Sequence, residues 1–172
     1  ADLNAFVGIS EEGVVTVLIP SSEMGQGAST GLAQCVAEEL DVPWERIRVA
    51  YPEEGRPYRF VMLPGDPRHM TGGSYSVRTW YMPMRQAGAA ARAMLVAAAA
   101  KRWGVKAEGC ISAGGVVSHP SGQRASYGEL ARDAAEERPP RCPKLKDAAE
   151  FKIIGESVPR EDLLGKVTGG TV

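Results

Sequence analysis

From Val77 to Trp103 the chain runs through its longest stretch of residues with high helix propensity, and Gly104 follows as a C-terminal cap. Met84, Ala87, Ala91, Met94, Leu95 and Ala98 recur at helical spacing, so one stripe of this helix faces a core. Everything else in a small domain must pack along so long a rod. Its many small residues suit close approach of a second backbone. The most apolar part, Ala87 to Ala100, is interrupted by Arg92 and is too short to cross a bilayer, so no transmembrane segment is expected.

The partners of that helix are read from local pattern. Ala5 to Ser10 and Val14 to Ile19 are short β-branched runs around Glu11-Glu12-Gly13, which predicts an opening hairpin. A polar stretch, Ser21 to Gly27, leads into a helix over Ala28 to Leu40, where Leu32, Cys35, Val36, Glu39 and Leu40 keep a helical apolar spacing. Glu38 and Glu39 are expected to solvate a face of it. Asp41-Val42-Pro43 ends this helix; Pro43 to Arg46 reads as one helical turn and Ile47 to Tyr51 as a strand. Pro52 to Met70 dissolves into proline, glycine and charge and is expected to be irregular, with Thr71 to Ser76 continuing it as a turn. Cys110 to Ser112 and Val116 to His119 form a second hairpin around Ala113-Gly114-Gly115. Ser126 caps a helix over Tyr127 to Ala135, with Glu129 completing a capping box. Together these predict an α+β, two-layer sandwich: a small mixed β-sheet with two main helices on one face. The expected organisation is one domain over 1–143, then a linker and the truncated start of the next domain over 144–172. The tail is expected to hold only short apolar pieces, without a terminating element.

Several function classes are set aside by composition. Twenty basic against 21 acidic side chains in 172 residues leave a net charge of −1, too little field to gather nucleic acid. Cys35, Cys110 and Cys142 lie far apart with no histidine beside them, which predicts free thiols and no zinc or iron–sulfur site. His69 and His119 stand alone. The N-terminus, Ala1-Asp2-Leu3-Asn4, has neither a signal-peptide pattern nor an initiator Met, so cytoplasm and periplasm both stay open.

Two segments could carry chemistry. Gly25-Gln26-Gly27, within Glu23 to Gly27, lies between a strand and a helix start, where backbone amides can meet a phosphate or another electron-rich group and Gln26 adds a donor and an acceptor. Thr71-Gly72-Gly73-Ser74-Tyr75-Ser76-Val77-Arg78 repeats that plan ahead of the long helix: Ser74 and Ser76 offer hydroxyls, and Arg78 a cation that either assists there or only pairs with a surface carboxylate. A plain strand-to-helix turn and ordinary helix caps remain the alternatives for the two.

These motifs, together with Val36 to Val42 and Arg85 to Ala91, resemble in their order the molybdopterin-binding subunits of xanthine oxidase and aldehyde oxidase-type enzymes, in particular the group of isoquinoline 1-oxidoreductase beta subunits. The tail, Ile154 to Arg160 and Gly165 to Gly169, resembles the entry into the next domain of those subunits. The resemblance implies an N-terminal fragment of a molybdenum hydroxylase that oxidises an aldehyde or an N-heteroaromatic substrate with water as oxygen source. Its cofactor would be molybdopterin, in many bacterial members the cytosine dinucleotide. Gly25, Gln26 and Gly27 would then touch the pterin, and Gly72, Gly73, Ser74, Ser76 and Arg78 would serve the phosphate side. The implied partners are the remaining domains of the same subunit and an iron–sulfur subunit. No catalytic residue and no metal ligand fall in this chain, and by itself it is expected to be inactive and to carry no cofactor. The competing reading is a non-catalytic protein-interaction module that keeps the fold.

Overall fold

The computed structural model describes residues 1–63 and 66–170. Four strands build the main sheet, β1 (Asp2–Asn4), β2 (Val7–Ile9), β3 (Val15–Leu18) and β4 (Ile47–Ala50), in that spatial order. β1, β2 and β3 pair antiparallel, while β3 and β4 are parallel, so the sheet is mixed as expected. The register sets Val7 opposite Val17 and Ile9 opposite Val15, and all four are buried, giving the sheet one apolar face. The first helix, α1 (Ala28–Leu40), is the crossover between the two parallel strands. The stretch ahead of it therefore leaves the carboxyl end of β3, where open sheets of this kind bind ligands.

The long helix, α2 (Tyr75–Trp103), starts two residues before the expected Val77 and ends on left-handed Gly104 as expected. Pro83 sits within it without ending it. α1 lies along α2 and against β4, while α2 also meets β1 and β2. Gly88 makes the helix crossing close: a Cβ there would fall 2.7 Å from the Val36 carbonyl oxygen and 3.1 Å from Cβ of Glu39. A second, three-stranded antiparallel sheet, β7 (Ile111–Ala113), β8 (Val116–Ser118) and β9 (Arg124–Ser126), contains the expected hairpin and an edge strand that the sequence pattern did not show. Ser126 then starts α3 (Tyr127–Glu136) with the foreseen capping box. Tyr127 is buried, and its hydroxyl donates to the Leu40 carbonyl at 2.6 Å.

Three expectations are corrected. Residues 52–70 are not wholly irregular: a 3-10 turn at Arg56–Tyr58 is followed by an antiparallel pair, β5 (Phe60–Leu63) and β6 (Asp66–Arg68), with residues 64 and 65 outside the described part. Such short strands with two prolines nearby lack the alternation that marks a strand. The tail carries a short helix, α4 (Leu163–Thr168), stopped by left-handed Gly169; residues 171 and 172 lie outside the described part.

The third correction concerns Glu38 and Glu39. They do not solvate a helix face; they are 1% and 0% exposed. Arg85 of α2 donates from Nε to Glu39 at 2.8 Å, and the Lys146 amide donates to the same carboxylate at 3.1 Å. Glu38 receives Lys146 Nζ at 2.9 Å and the backbone amides of Lys152, Ile153 and Ile154 at 2.8, 2.6 and 3.1 Å. Arg85 and Arg92 in turn donate to the carbonyls of Lys146 and Lys144 at 2.6 and 2.9 Å. Residues 144–154 thus form a strap whose backbone is bound by charges on α1 and α2. Among the described residues no buried side-chain nitrogen or oxygen lacks a partner. Helical spacing put Glu39 in line with the apolar stripe, but an i, i+1 acidic pair looks solvent-facing until distant cations cover it.

Two expectations for stability follow from these contacts. Gly88→Ala should destabilise the chain by about 1–3 kcal/mol, because the new methyl meets backbone that cannot turn aside. Gly31→Ala, in a helical position with open space around it, should instead stabilise by about 0.5–1 kcal/mol; equal effects in urea unfolding would contradict the close crossing. Burial alone would raise the Glu38 carboxyl, but Lys146 and the amides of Ile153, Lys152 and Ile154 outweigh it and hold it below its ordinary value of 4.5. Stability from such a group is complete above that value and is lost as pH falls through the lower folded one. Glu38→Gln should cost about 3 kcal/mol near neutral pH and flatten the loss below pH 4.5, read from urea unfolding across pH.

Candidate functional site

Ile19, fully buried, carries β3 to its carboxyl end, where its amide donates to the Ala50 carbonyl at 2.9 Å. From there a first loop, residues 20–27, turns into α1. A second loop, residues 71–74, turns into α2, and aromatic contacts hold it in place. Tyr75 stacks on Phe60 with centroids 5.5 Å apart, and Trp80 packs against Phe6.

The two loops meet at their bases. Ser21, 3% exposed, donates to the Ser76 hydroxyl at 2.7 Å and lies 3.3 Å from that of Thr71. The Ser22 amide donates to the Thr71 hydroxyl at 2.7 Å. Segments some fifty residues apart are therefore tied together at the sheet end where the β3–α1 crossover begins.

Within the first loop, Gly25 and Gly27 take left-handed φ of 99° and 77°, and a Cβ on either would meet nothing within 4 Å. Gln26 folds back on the loop: its side-chain nitrogen donates to the Ser22 carbonyl at 2.9 Å and its oxygen accepts the Met24 amide at 2.5 Å. In the second loop, Gly72, Gly73 and Ser74 all have positive φ, and Ser74 occupies the N-cap position of α2 without a side-chain cap bond. Ser76 is half-buried beneath Ser21, and exposed Arg78 lies over the Tyr75 ring at 4.6 Å.

Glu23 went unassigned by sequence reasoning, yet its carboxylate organises the first loop. It accepts the amides of Gly25, Gly27 and Ser29 at 2.8, 2.9 and 3.1 Å and the Ser29 hydroxyl at 2.9 Å. Burial alone would raise its pKa, but the bonds from Gly27, Ser29 and Gly25 outweigh burial and hold it low, so the group stays anionic. A carboxylate of the chain itself thus sits where an external anion could meet the first amides of α1. The sequence signal was an acid just ahead of a helix start, a place the helix dipole favours.

Charge differs between the two sides. Beside the first loop lies an open cleft of about 460 Å³ lined by Glu23, Tyr51, Glu161, Asp162 and Lys166, predominantly acidic. Ahead of the second loop is a hollow of about 650 Å³ lined by Glu54, Arg59, Pro67, Arg68, His69 and Met70, richer in cations. A further hollow of about 600 Å³ between β2 and α3 touches neither loop. Cys35 is buried, its thiol pushed up to about 12 chiefly by burial, whereas Cys142 is exposed. No described helix is long and apolar enough to cross a membrane.

A family model described as the molybdopterin cofactor-binding domain matches residues 2–161. The chain is 32% identical to the isoquinoline 1-oxidoreductase subunit beta of Brevundimonas diminuta, across 96% of this chain and 26% of that protein. It is 31% identical to the membrane-bound aldehyde dehydrogenase (pyrroloquinoline-quinone) of Gluconacetobacter polyoxogenes, across 87% of this chain and 19% of that protein. Among solved structures, quinoline 2-oxidoreductase from Pseudomonas putida 86 shares the fold with a TM-score of 0.55 and 20% identity, over 78% of this chain and 17% of that one. The chain spans about a quarter or less of the length of these relatives.

The tie between the loops is open to a direct check. Ser21→Ala should cost about 0.5–1.5 kcal/mol and should raise amide exchange at Ser22 and in residues 71–76 first. Unchanged exchange there would mean that the two serines do not hold the loops together.

Proposed function

This chain belongs to the molybdopterin cofactor-binding domain family of xanthine oxidase-type oxidoreductases, and from that premise we propose that it grips molybdopterin between its two glycine-rich loops as part of a molybdenum hydroxylase subunit. The observation that carries the reading is the joining of those loops through Ser21–Ser76 and Ser22–Thr71. An interaction module would have no need to bring them together.

The residues present fit such a group. The open faces of Gly25 and Gly27 leave room for a planar ring system against the first loop, with the Gln26 amide already oriented beside it. Phosphate belongs on the other side, because Glu23 already occupies the first amides of α1 and the adjoining cleft is acidic. There Gly72 and Gly73 give backbone access, and Ser74, Ser76 and Arg78 supply hydroxyl and cationic donors. Ser76 accepts a hydrogen bond from Ser21, which leaves its own hydroxyl proton for a phosphate oxygen. When bound, the cofactor supplies the metal centre that takes up the substrate's electrons. The chain's own part is to bind and orient it.

The finer assignments belong to the same proposal. The substrate is an aldehyde or an N-heteroaromatic compound, water supplies the oxygen, and the cofactor is the cytosine dinucleotide form. The general base, the rest of the pocket and an iron–sulfur partner come from other parts of the enzyme, so this chain alone is inactive. Residues 1–143 carry both binding loops, residues 144–162 dock against that unit, and the chain beyond leads toward the next domain.

Metal analysis and cofactor extraction on the intact protein test the reading. Molybdenum and a pterin are expected. Gln26→Ala combined with Ser74→Ala should lower molybdenum content, at about 0.5–1.5 kcal/mol for each lost contact, with thermal unfolding little changed. Pyrroloquinoline quinone recovered in place of molybdenum, or full molybdenum in the double variant, would reject it.

A further inference from the structure

The first loop is held from outside as well as from within. Arg160, beyond the strap, donates from Nη1 to the Gly25 carbonyl at 3.1 Å and reaches the Glu23 carboxylate at 3.4 Å through Nη2. Asp162 fixes the same guanidinium in two bonds, at 2.9 and 2.8 Å. The neighbours of Arg160 dock beside it. The Glu161 carboxylate accepts the Ser29 hydroxyl at 3.0 Å, the Glu161 amide donates to the Thr30 hydroxyl at 3.3 Å, and the Pro159 carbonyl accepts the Trp44 indole N–H at 3.2 Å. Glu161 therefore rests on the start of α1 and Pro159 on the turn that follows α1, and Arg160 between them reaches forward to the loop.

Glu23 is the point through which Arg160 acts. Its side chain is 5% exposed, and it already takes three amides and one hydroxyl. A buried carboxylate in that position needs a cation to offset its charge, and the planar fork of an arginine can bind both it and a backbone carbonyl. Lys166, the other cation nearby, is paired with Asp162.

We infer that Arg160 is a positioning residue for the first loop: with Glu23 it holds the Gly25–Gly27 turn in the conformation that presents its glycine faces. The order of this loop is then conditional on the docking of residues 144–162, which the buried carboxylates of α1 secure 100 residues and more away in sequence. What the loop is presented to rests on the proposed function; that the loop is positioned in this way does not.

Hydrogen exchange on the intact subunit, prepared without cofactor, reads the positioning directly. Arg160→Gln should speed exchange at Gly25, Gly27 and Ser29 by about five- to tenfold while leaving Met94 and Leu95 of α2 unchanged. Arg160→Lys keeps the charge but not the fork and should give a smaller rise. Glu23→Gln, a second route to the same loop, should give at least as large a rise at the same amides. Unchanged exchange at those amides in Arg160→Gln would overturn the inference, whatever Glu23→Gln does, and so would a rise spread evenly through α2. Molybdenum content of the same preparations after cofactor loading separates the two claims. A selective rise in exchange with wild-type protein that takes up no molybdopterin would leave the positioning standing and remove the proposed function.

Discussion

The buried acid pair on α1 is the constraint on which the rest depends. Glu39 sits at the α1–α2 crossing, where Gly88 lets the two backbones approach, Glu38 beside it faces the strap, and both are buried. Two desolvated charges side by side would be prohibitive without partners, so Arg85 from α2 and Lys146 from the strap are required rather than decorative. Burial costs Lys146 some of its charge preference, but Asp41 and Glu38 more than restore it and hold its pKa above the ordinary value. The three strap amides on Glu38 make the backbone itself part of the neutralisation. The strap is thereby held on the domain by polar contacts as well as by Ile153 and Ile154, which pack against the core.

Through the strap, that constraint reaches the candidate site. Residues 159–162 follow directly from the docked segment and bring Arg160 to the first loop. The second loop depends on apolar contacts instead, the Phe60–Tyr75 stack and the Phe6–Trp80 packing at the start of α2. Two independent anchors thus converge on one place, and the serine and threonine hydroxyls join them there. Charge is divided between them, acidic beside the first loop and more cationic ahead of the second.

Much of the architecture was legible because it is local. The helix over Ala28 to Leu40 follows from its apolar spacing, the capping box at Ser126 and Glu129 from residues three apart, and the ends at Gly104 and at Asp41, just ahead of Pro43, from backbone chemistry. The Gly114-Gly115 turn, with both residues left-handed, is a hairpin signal of the same kind. β1, β9 and the β5–β6 pair were not legible: they are three or four residues long, and their stability comes from neighbours in the sheet rather than from pattern. In the candidate site, the glycine loops stood out as motifs, whereas Ser21 and Thr71 did not, since nothing about an isolated hydroxyl tells which other hydroxyl it will meet.

The sequence by itself determined the helices and their caps, the two hairpins, the ordered pair of glycine-rich loops and, through their resemblance, the family. Tertiary structure alone decided the fate of the charged side chains. Glu38 and Glu39 carry the same local pattern whether they face water or a buried arginine, and Lys146 lies over 100 residues further along the chain. Arg160 is 137 residues from Glu23. Helix propensity and turn chemistry act over a few residues and leave their mark in sequence spacing; the energy of a charge depends on everything within a few ångströms of it, and that is known only once the chain has folded.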